Sequence, residues 1–314
     1  MNYRECAQLL KQQDQILILT HRDPDGDTAG SAAALCSALR RLGKTAWLFP
    51  NPGFTRKVLP YLRSYIAPVD FVPACTVSVD VATERMFPPG FAGEIFLCID
   101  HHGTNSHFGQ NELVRGEKSS CGEIVLEIIK TLCGSVTEEE ATLLYIAVTT
   151  DTGCFRYKNT GPQTLRVGAD LLEAGAPVDL NRTLFMKKSR PRLLLESRMI
   201  AGLQFFQNDE ASLAAVTLED LGSCGVTEAD LEDIASVAGS VEGVELSITL
   251  REVGDGEWKV SLRTGQYGNA SYICAEFGGG GHGMAAGCTV KGSREEVTAR
   301  LMDAVARHWH EAPL

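Results

Sequence analysis

Short, mostly apolar runs recur through the first half of this chain, and they limit its fold more than any other feature. Ile16-Leu17-Ile18-Leu19-Thr20 is the clearest, and residues 46–49, 76–79, 95–99 and 146–149 repeat the type. Runs of this length without polar alternation suit strands covered on both faces. Between them lie segments of helical character: residues 3–13, the Ala- and Leu-rich 28–42 closed by Gly43, and 122–133. Strands alternating with helices predict an α/β domain whose mostly parallel sheet is flanked by helices. Such a sheet collects ligands at the carboxyl ends of its strands, so the residues leaving each run carry the functional information.

The rhythm stops between about residues 183 and 207. A chain of 314 residues has length for two domains, each with its own core. The expected division is a first domain at 1–184, a linker at 185–209 and a second domain at 210–314. Within the linker, Lys187-Lys188-Ser189-Arg190-Pro191-Arg192 is basic, contains proline and reads as a hinge. Beyond it, strand candidates at 245–252 and 258–263 flank Gly254-Asp255-Gly256, a hairpin signature. With a strand at 212–217, a glycine loop at 278–281 and a terminal helix at 295–310, this region reads as a smaller α+β domain.

Polar clusters follow the apolar runs. His21-Arg22-Asp23-Pro24-Asp25-Gly26-Asp27 leaves the first, Asp80 the third, Asp100-His101-His102 the fourth, and Thr149-Thr150-Asp151-Thr152-Gly153 the last. Carboxylates mixed with imidazoles suit hard or borderline divalent cations. Asp27 and Asp151 taken singly also fit plain helix caps. Four strand ends delivering His and Asp to one sheet edge are harder to explain as turn chemistry, and they suit two ions about 3.5–4 Å apart clamping an in-line displacement at phosphorus. In the second region, Gly278, Gly279, Gly280 and Gly281 followed by His282 can present backbone N–H groups and an imidazole to an anion. Arg263 has the planar fork that pairs with phosphate.

Charge narrows the partners. With 29 Lys and Arg against 40 Asp and Glu, the net charge of −11 offers no basic track for a long nucleic acid. An anionic substrate is therefore expected to be small, met by metal ions and a few cationic side chains. Ten cysteines without a C-x-x-C pair read as reduced thiols. The sequence starts without a basic segment leading into an apolar one, and no apolar run reaches membrane-spanning length. The expectation is a soluble, cytoplasmic protein with no membrane partner.

In order and spacing, His21-x-x-x-Asp25-x-Asp27, Asp80, Asp100-His101-His102, Asp151 and residues 278–282 resemble the DHH phosphoesterase family with its DHH-associated C-terminal domain. The resemblance is to the small two-domain branch of NrnA-like bifunctional oligoribonuclease and pAp phosphatase enzymes, and it spans nearly the whole chain. A departure is Gly283-Met284, where the family often has a polar or basic residue. The resemblance implies that His21, Asp25 and Asp80 hold one divalent cation. Asp27, Asp80, His101 and Asp151 would hold a second, with Asp80 bridging; Mn²⁺ is expected, and Mg²⁺ is the alternative. It further implies that His102 contacts the scissile phosphate while Asp100 orients the neighbouring imidazoles. Arg263, Gly278, Gly279, Gly280, Gly281 and His282 would bind substrate across a cleft.

The implied substrates are short RNA, cut to mononucleotides, and 3′-phosphoadenosine 5′-phosphate (pAp), converted to AMP. Competing readings are a phosphodiesterase specialised for signalling dinucleotides (pApA, pGpG or c-di-AMP) and a non-catalytic nucleotide sensor. A long-strand DNA exonuclease would need nucleic-acid-binding domains for which the chain has no room. A pyrophosphatase would lack the glycine loop at 278–281. A homodimer is left open.

Overall fold

Five strands form the sheet of the first half: β1 (Ile16–Leu19), β2 (Ala46–Leu48), β3 (Cys75–Val79), β4 (Leu97–Asp100) and β5 (Asn111–Val114). Their order is β2-β1-β3-β4-β5 and every neighbouring pair is parallel. All four residues of β1 are buried, as an unalternating apolar run requires. The helices are α1 (Tyr3–Gln12), α2 (Gly26–Arg41), the single turn α3 (Leu59–Leu62), α4 (Cys121–Cys133), α5 (Glu138–Asp151) and α6 (Pro162–Glu173). The computed structural model describes residues 1–231 and 233–311, and the chain falls into two compact units, Met1–Lys187 and Lys188–Leu314.

Two elements differ in kind from the sequence reading, one in each unit. Residues 146–149, expected as a strand, are the last turns of α5. Leu143 to Thr149 are buried without exception, so no polar face exposes the helical period, and β-branched Ile146, Val148 and Thr149 mimic a strand. The helix declares itself only upstream, in a capping box between Thr137 and Glu140. Asp151 therefore arrives at the site from a helix terminus, not from a fourth strand end. Glycines let α2 lie close against α5. A Cβ on Gly30 would stand 2.3 Å from the Leu143 carbonyl oxygen, and one on Gly26 would stand 2.0 Å from the Thr150 hydroxyl.

The second unit begins with α7 (Arg190–Ala201), whose Leu195 and Met199 are buried with Ala214 and Val216. Arg192, inside the basic stretch read as a hinge, is buried and bonds Glu196 at 2.6 Å and the Asp230 carbonyl at 2.7 Å. Then come β6 (Gln204–Phe206), β7 (Ala211–Val216), α8 (Leu218–Cys224), β8 (Leu246–Gly254), β9 (Glu257–Thr264), α9 (Ala270–Ala275), β10 (Gly280–His282), β11 (Ala285–Lys291) and α10 (Arg294–His308). The sheet order is β10-β11-β9-β8-β7-β6, antiparallel except between β7 and β8. Residues 280–282, read as loop, form the edge strand β10. Alternation in β9 and β11 is clean: Trp258, Val260, Leu262, Ala286, Cys288 and Val290 are buried with residues of α9 and α10, and the residues between them face the other way. Among the described residues, no helix is long and apolar enough to cross a membrane.

Candidate metal centre

The chain runs from β1 to β2 on one side, then returns to lay β3 on the other side of β1. A crevice opens where the strand order reverses, at the carboxyl ends of β1 and β3. His21 follows β1 and Asp80 directly follows β3, while Asp100 ends β4 and is followed by His101 and His102. Asp25, rather than Asp27, caps α2, accepting from the Asp27 N–H at 2.9 Å and the Thr28 N–H at 3.1 Å. Asp27 stands in the first turn of that helix and Asp151 is the last residue of α5.

These side chains converge. His21 Nε2 lies 3.7 Å from Asp25 Oδ1 and 3.8 Å from Asp80 Oδ2. His101 Nε2 lies 3.3 Å from Asp80 Oδ1, 3.2 Å from Asp151 Oδ2 and 3.6 Å from Asp27 Oδ2. Asp80 thus turns one oxygen toward each imidazole. Three overlapping groups have ligand atoms within 4.8 Å of one another: His21, Asp25 and Asp80; Asp27, His101 and Asp151; and Asp80, His101 and His102.

Two of the three imidazoles, His101 and His102, are oriented from behind. His101 Nδ1 is 3.2 Å from the Lys118 carbonyl, which can only accept, so that nitrogen carries a proton and Nε2 is the one turned toward the carboxylates. Asp100 is completely buried and reaches His102 alone, accepting from Nδ1 at 2.8 Å. Its other oxygen accepts from Asn105 Nδ2 at 2.6 Å.

Electrostatics show a cluster short of positive charge. Burial pushes the Asp27 carboxyl well up, and the Asp151 and Asp80 carboxylates add to it. Asp80 is raised by burial too, with Asp25 and Asp151 contributing. Burial would lower His101, yet the Asp151 and Asp80 carboxylates outweigh it and push the imidazole up to about 12. Asp151 also sits at a helix C-terminus, where the macrodipole disfavours an anion. Asp80 adopts a left-handed conformation, φ 61°, and its buried Oδ1 has no hydrogen-bond donor. A strained carboxylate with an unsatisfied oxygen, among more carboxylates than imidazoles can neutralise, fits divalent cations.

In the second unit, Arg263 on β9 pairs in register with Ala285 on β11, and Ala285 pairs with His282 on β10. Residues directly opposite share a face, so Arg263 and His282 flank a small alanine in one row, and both are exposed. The preceding glycines differ in cause. A Cβ on Gly279 would come within 2.4 Å of Cys288 Cβ, and one on Gly281 within 2.5 Å of the Ala285 carbonyl oxygen. Gly278 takes φ 73°, a turn conformation. Gly280 has an empty space where a side chain would go.

Residues 15–148 match the DHH family, N-terminal domain, and residues 211–309 match the DHHA1 domain. The bifunctional oligoribonuclease and PAP phosphatase NrnA of Thermus thermophilus is 36% identical over 309 residues, covering 96% of this chain and 93% of the relative. This chain belongs to the DHH family. An exopolyphosphatase-related protein from Bacteroides fragilis shares the fold, with a TM-score of 0.86 at 24% identity over 97% of this chain and 95% of that one. So does an exonuclease RecJ bound to manganese, with a TM-score of 0.57 at 15% identity, covering 98% and 95% of the two chains.

Sequence reasoning missed the parts of this DHH site that hold the ligands in place. Asp27 accepts from the Cys121 and Gly122 N–H groups at 2.7 and 3.0 Å, the free amides that open α4. Asn51 donates to the His21 carbonyl at 2.8 Å. Asn105 ties Asp100 to the Val81 carbonyl, joining the loops after β3 and β4. None of these contacts leaves a periodic or compositional trace. The spacing of Asn105 five residues after Asp100 was the one available hint.

Proposed function

We propose that this DHH protein is a phosphoesterase that uses two divalent ions to hydrolyse short oligoribonucleotides to mononucleotides and pAp to AMP. The observation that carries the reading is Asp80, whose two buried oxygens face two separate sets of His and Asp side chains. The NrnA relative, alike over nearly the full length of both chains, supports the substrate class.

In this reading His21, Asp25 and Asp80 hold one ion, and Asp27, Asp80, His101 and Asp151 hold the other. Imidazoles among carboxylates favour Mn²⁺ over Mg²⁺, which prefers oxygen ligands and retained water. Such a pair of ions supplies Lewis-acid polarisation of the phosphoryl group and neutralises charge on the attacking and leaving oxygens. His102, the most open of the three imidazoles at 36% side-chain exposure, is fixed through Nδ1 and presents Nε2 to the scissile phosphate. Asp100 positions His102 and touches no substrate. Arg263 and His282 hold phosphate, Arg263 through its fork and His282 through a ring N–H. Water adds to phosphorus as the P–O bond to ribose breaks. Ten unpaired cysteines suit a reducing compartment, and the chain is assigned to the cytoplasm.

A substrate panel with Mn²⁺ and with Mg²⁺ tests this: pAp, linear and cyclic dinucleotides, a pentanucleotide and a strand of about twenty. Mononucleotides from the short RNAs and AMP from pAp are expected. Turnover of cyclic or linear signalling dinucleotides alone would transfer the chain to that specialisation, and metal-dependent binding without turnover would make it a sensor.

A further inference from the structure

On β9, β11 and β10 the sheet face that carries Arg263 stays open, whereas on β8 and β7 the same rows are covered, with Ser247, Thr249 and Ser212 buried. On β9, Ser261 and Lys259 follow Arg263 at intervals of two residues and therefore share its face. Register pairs Ser261 with Gly287 and Gly287 with Gly280, and pairs Lys259 with Thr289. No side chain larger than Ser or Thr lies between the two cations on these rows. Gly280 is the glycine of the run that neither packing nor φ explains, and lacking a side chain it keeps the floor clear. Among the described residues, the exposed Lys259 forms no ion pair, and Arg263 bonds only the Leu262 carbonyl beside it, at 2.9 Å. Glu257, opposite Lys291, is the acid nearest in sequence on this face, and Arg251, opposite Lys259, is neutralised by Glu228 at 3.3 Å. The chain carries a net charge of −11, and on this strip the two ends are cationic.

We infer that Lys259 is a second phosphate contact that sets how long a substrate the protein prefers. The inference rests on the proposed reading of the site and adds the length of the strand. Four residues along β9 carry Lys259 about 13 Å from Arg263. Nucleotides advance about 3.4 Å each when stacked and about twice that when extended, so a strand engaged at Arg263 meets Lys259 roughly two to four nucleotides later. A dinucleotide or pAp ends short of it, and a pentanucleotide reaches it. The occupant is a short single-stranded phosphodiester with its backbone along the strip, because the strip offers cations and a flat floor and no apolar pocket for a side chain.

The test compares dinucleotide and pentanucleotide hydrolysis by the full-length, metal-loaded protein as Lys259→Ala, Lys259→Arg and wild type. Lys259→Ala is expected to lower the ratio of kcat/KM for pentanucleotide over dinucleotide about tenfold, through KM. It should also flatten the salt dependence of log KM for the pentanucleotide by about 0.7. Lys259→Arg should restore both. An unchanged ratio and slope in Lys259→Ala overturn the inference while leaving the hydrolase reading intact. Failure of that reading looks different, since wild type then turns over neither oligonucleotide, and both ideas fall together.

Discussion

Asp27, Asp80 and Asp100 of the first unit are at most 2% exposed, whereas Lys259, Arg263 and His282 of the second stand in the open. Buried carboxylates are costly unless something pairs with them, and the first unit collects several in one crevice. Exposed cations on a sheet face cost little to fold and remain free to meet whatever arrives. The contrast separates two kinds of dependence. A change in the first unit should disturb metal binding and affect every substrate alike. A change on the open face of the second should leave the metals untouched and discriminate among substrates.

The largest expected effect is Asp80→Ala. Its two oxygens face both ligand sets, so turnover should fall beyond about a thousandfold, more than removal of one stabilising donor typically costs. Retention of a tenth of wild-type turnover at saturating Mn²⁺ would break the contrast at its root.

Arg263→Ala comes next. Losing a charge-assisted contact worth about 1.5–3 kcal/mol should lower kcat/KM on pAp roughly ten- to hundredfold. Asn105→Ala should cost about tenfold in kcat, since it releases Asp100 and lets the His102 ring turn, while KM stays within about twofold. A change in KM alone would show that Asn105 does not act through His102. The smallest effect sharpens the packing side. Gly30→Ala should lower stability by about 1–3 kcal/mol, seen as a drop of a few degrees in Tm, because the added methyl meets the Leu143 carbonyl. An unchanged Tm would mean that the close approach of α2 and α5 is not needed.

Much of this was legible in advance, and the limits have physical causes. The parallel sheet could be read because β1 and β4 are buried on both faces and come from unbroken apolar runs, with β3 interrupted only by the small polar Thr76 and Ser78. Helix α5 leaves the same signature for the same reason, and so it was misread as a strand although Asp151 was singled out. Strand β5 went unseen because Asn111, Glu112, Leu113 and Val114 bury only Leu113 fully. In the candidate site, the side chains that carry charge stand out as types in the sequence. The carbonyl of Lys118 and the amides of Cys121 and Gly122 cannot stand out, since every residue has them. The row joining His282, Ala285 and Arg263 exists only in the register of three strands, two of them unrecognised beforehand.

The central claim is that one unit binds the metals and the other positions the substrate. Calorimetric Mn²⁺ titration of wild type, Asp80→Ala and Arg263→Ala, with kinetics on pAp from the same preparations, tests it most directly. The account predicts two Mn²⁺ per chain in wild type and in Arg263→Ala at equal affinity, with kcat/KM depressed in the latter, and a disrupted pair of sites in Asp80→Ala. A single Mn²⁺ in wild type, or weakened Mn²⁺ binding in Arg263→Ala, would contradict it.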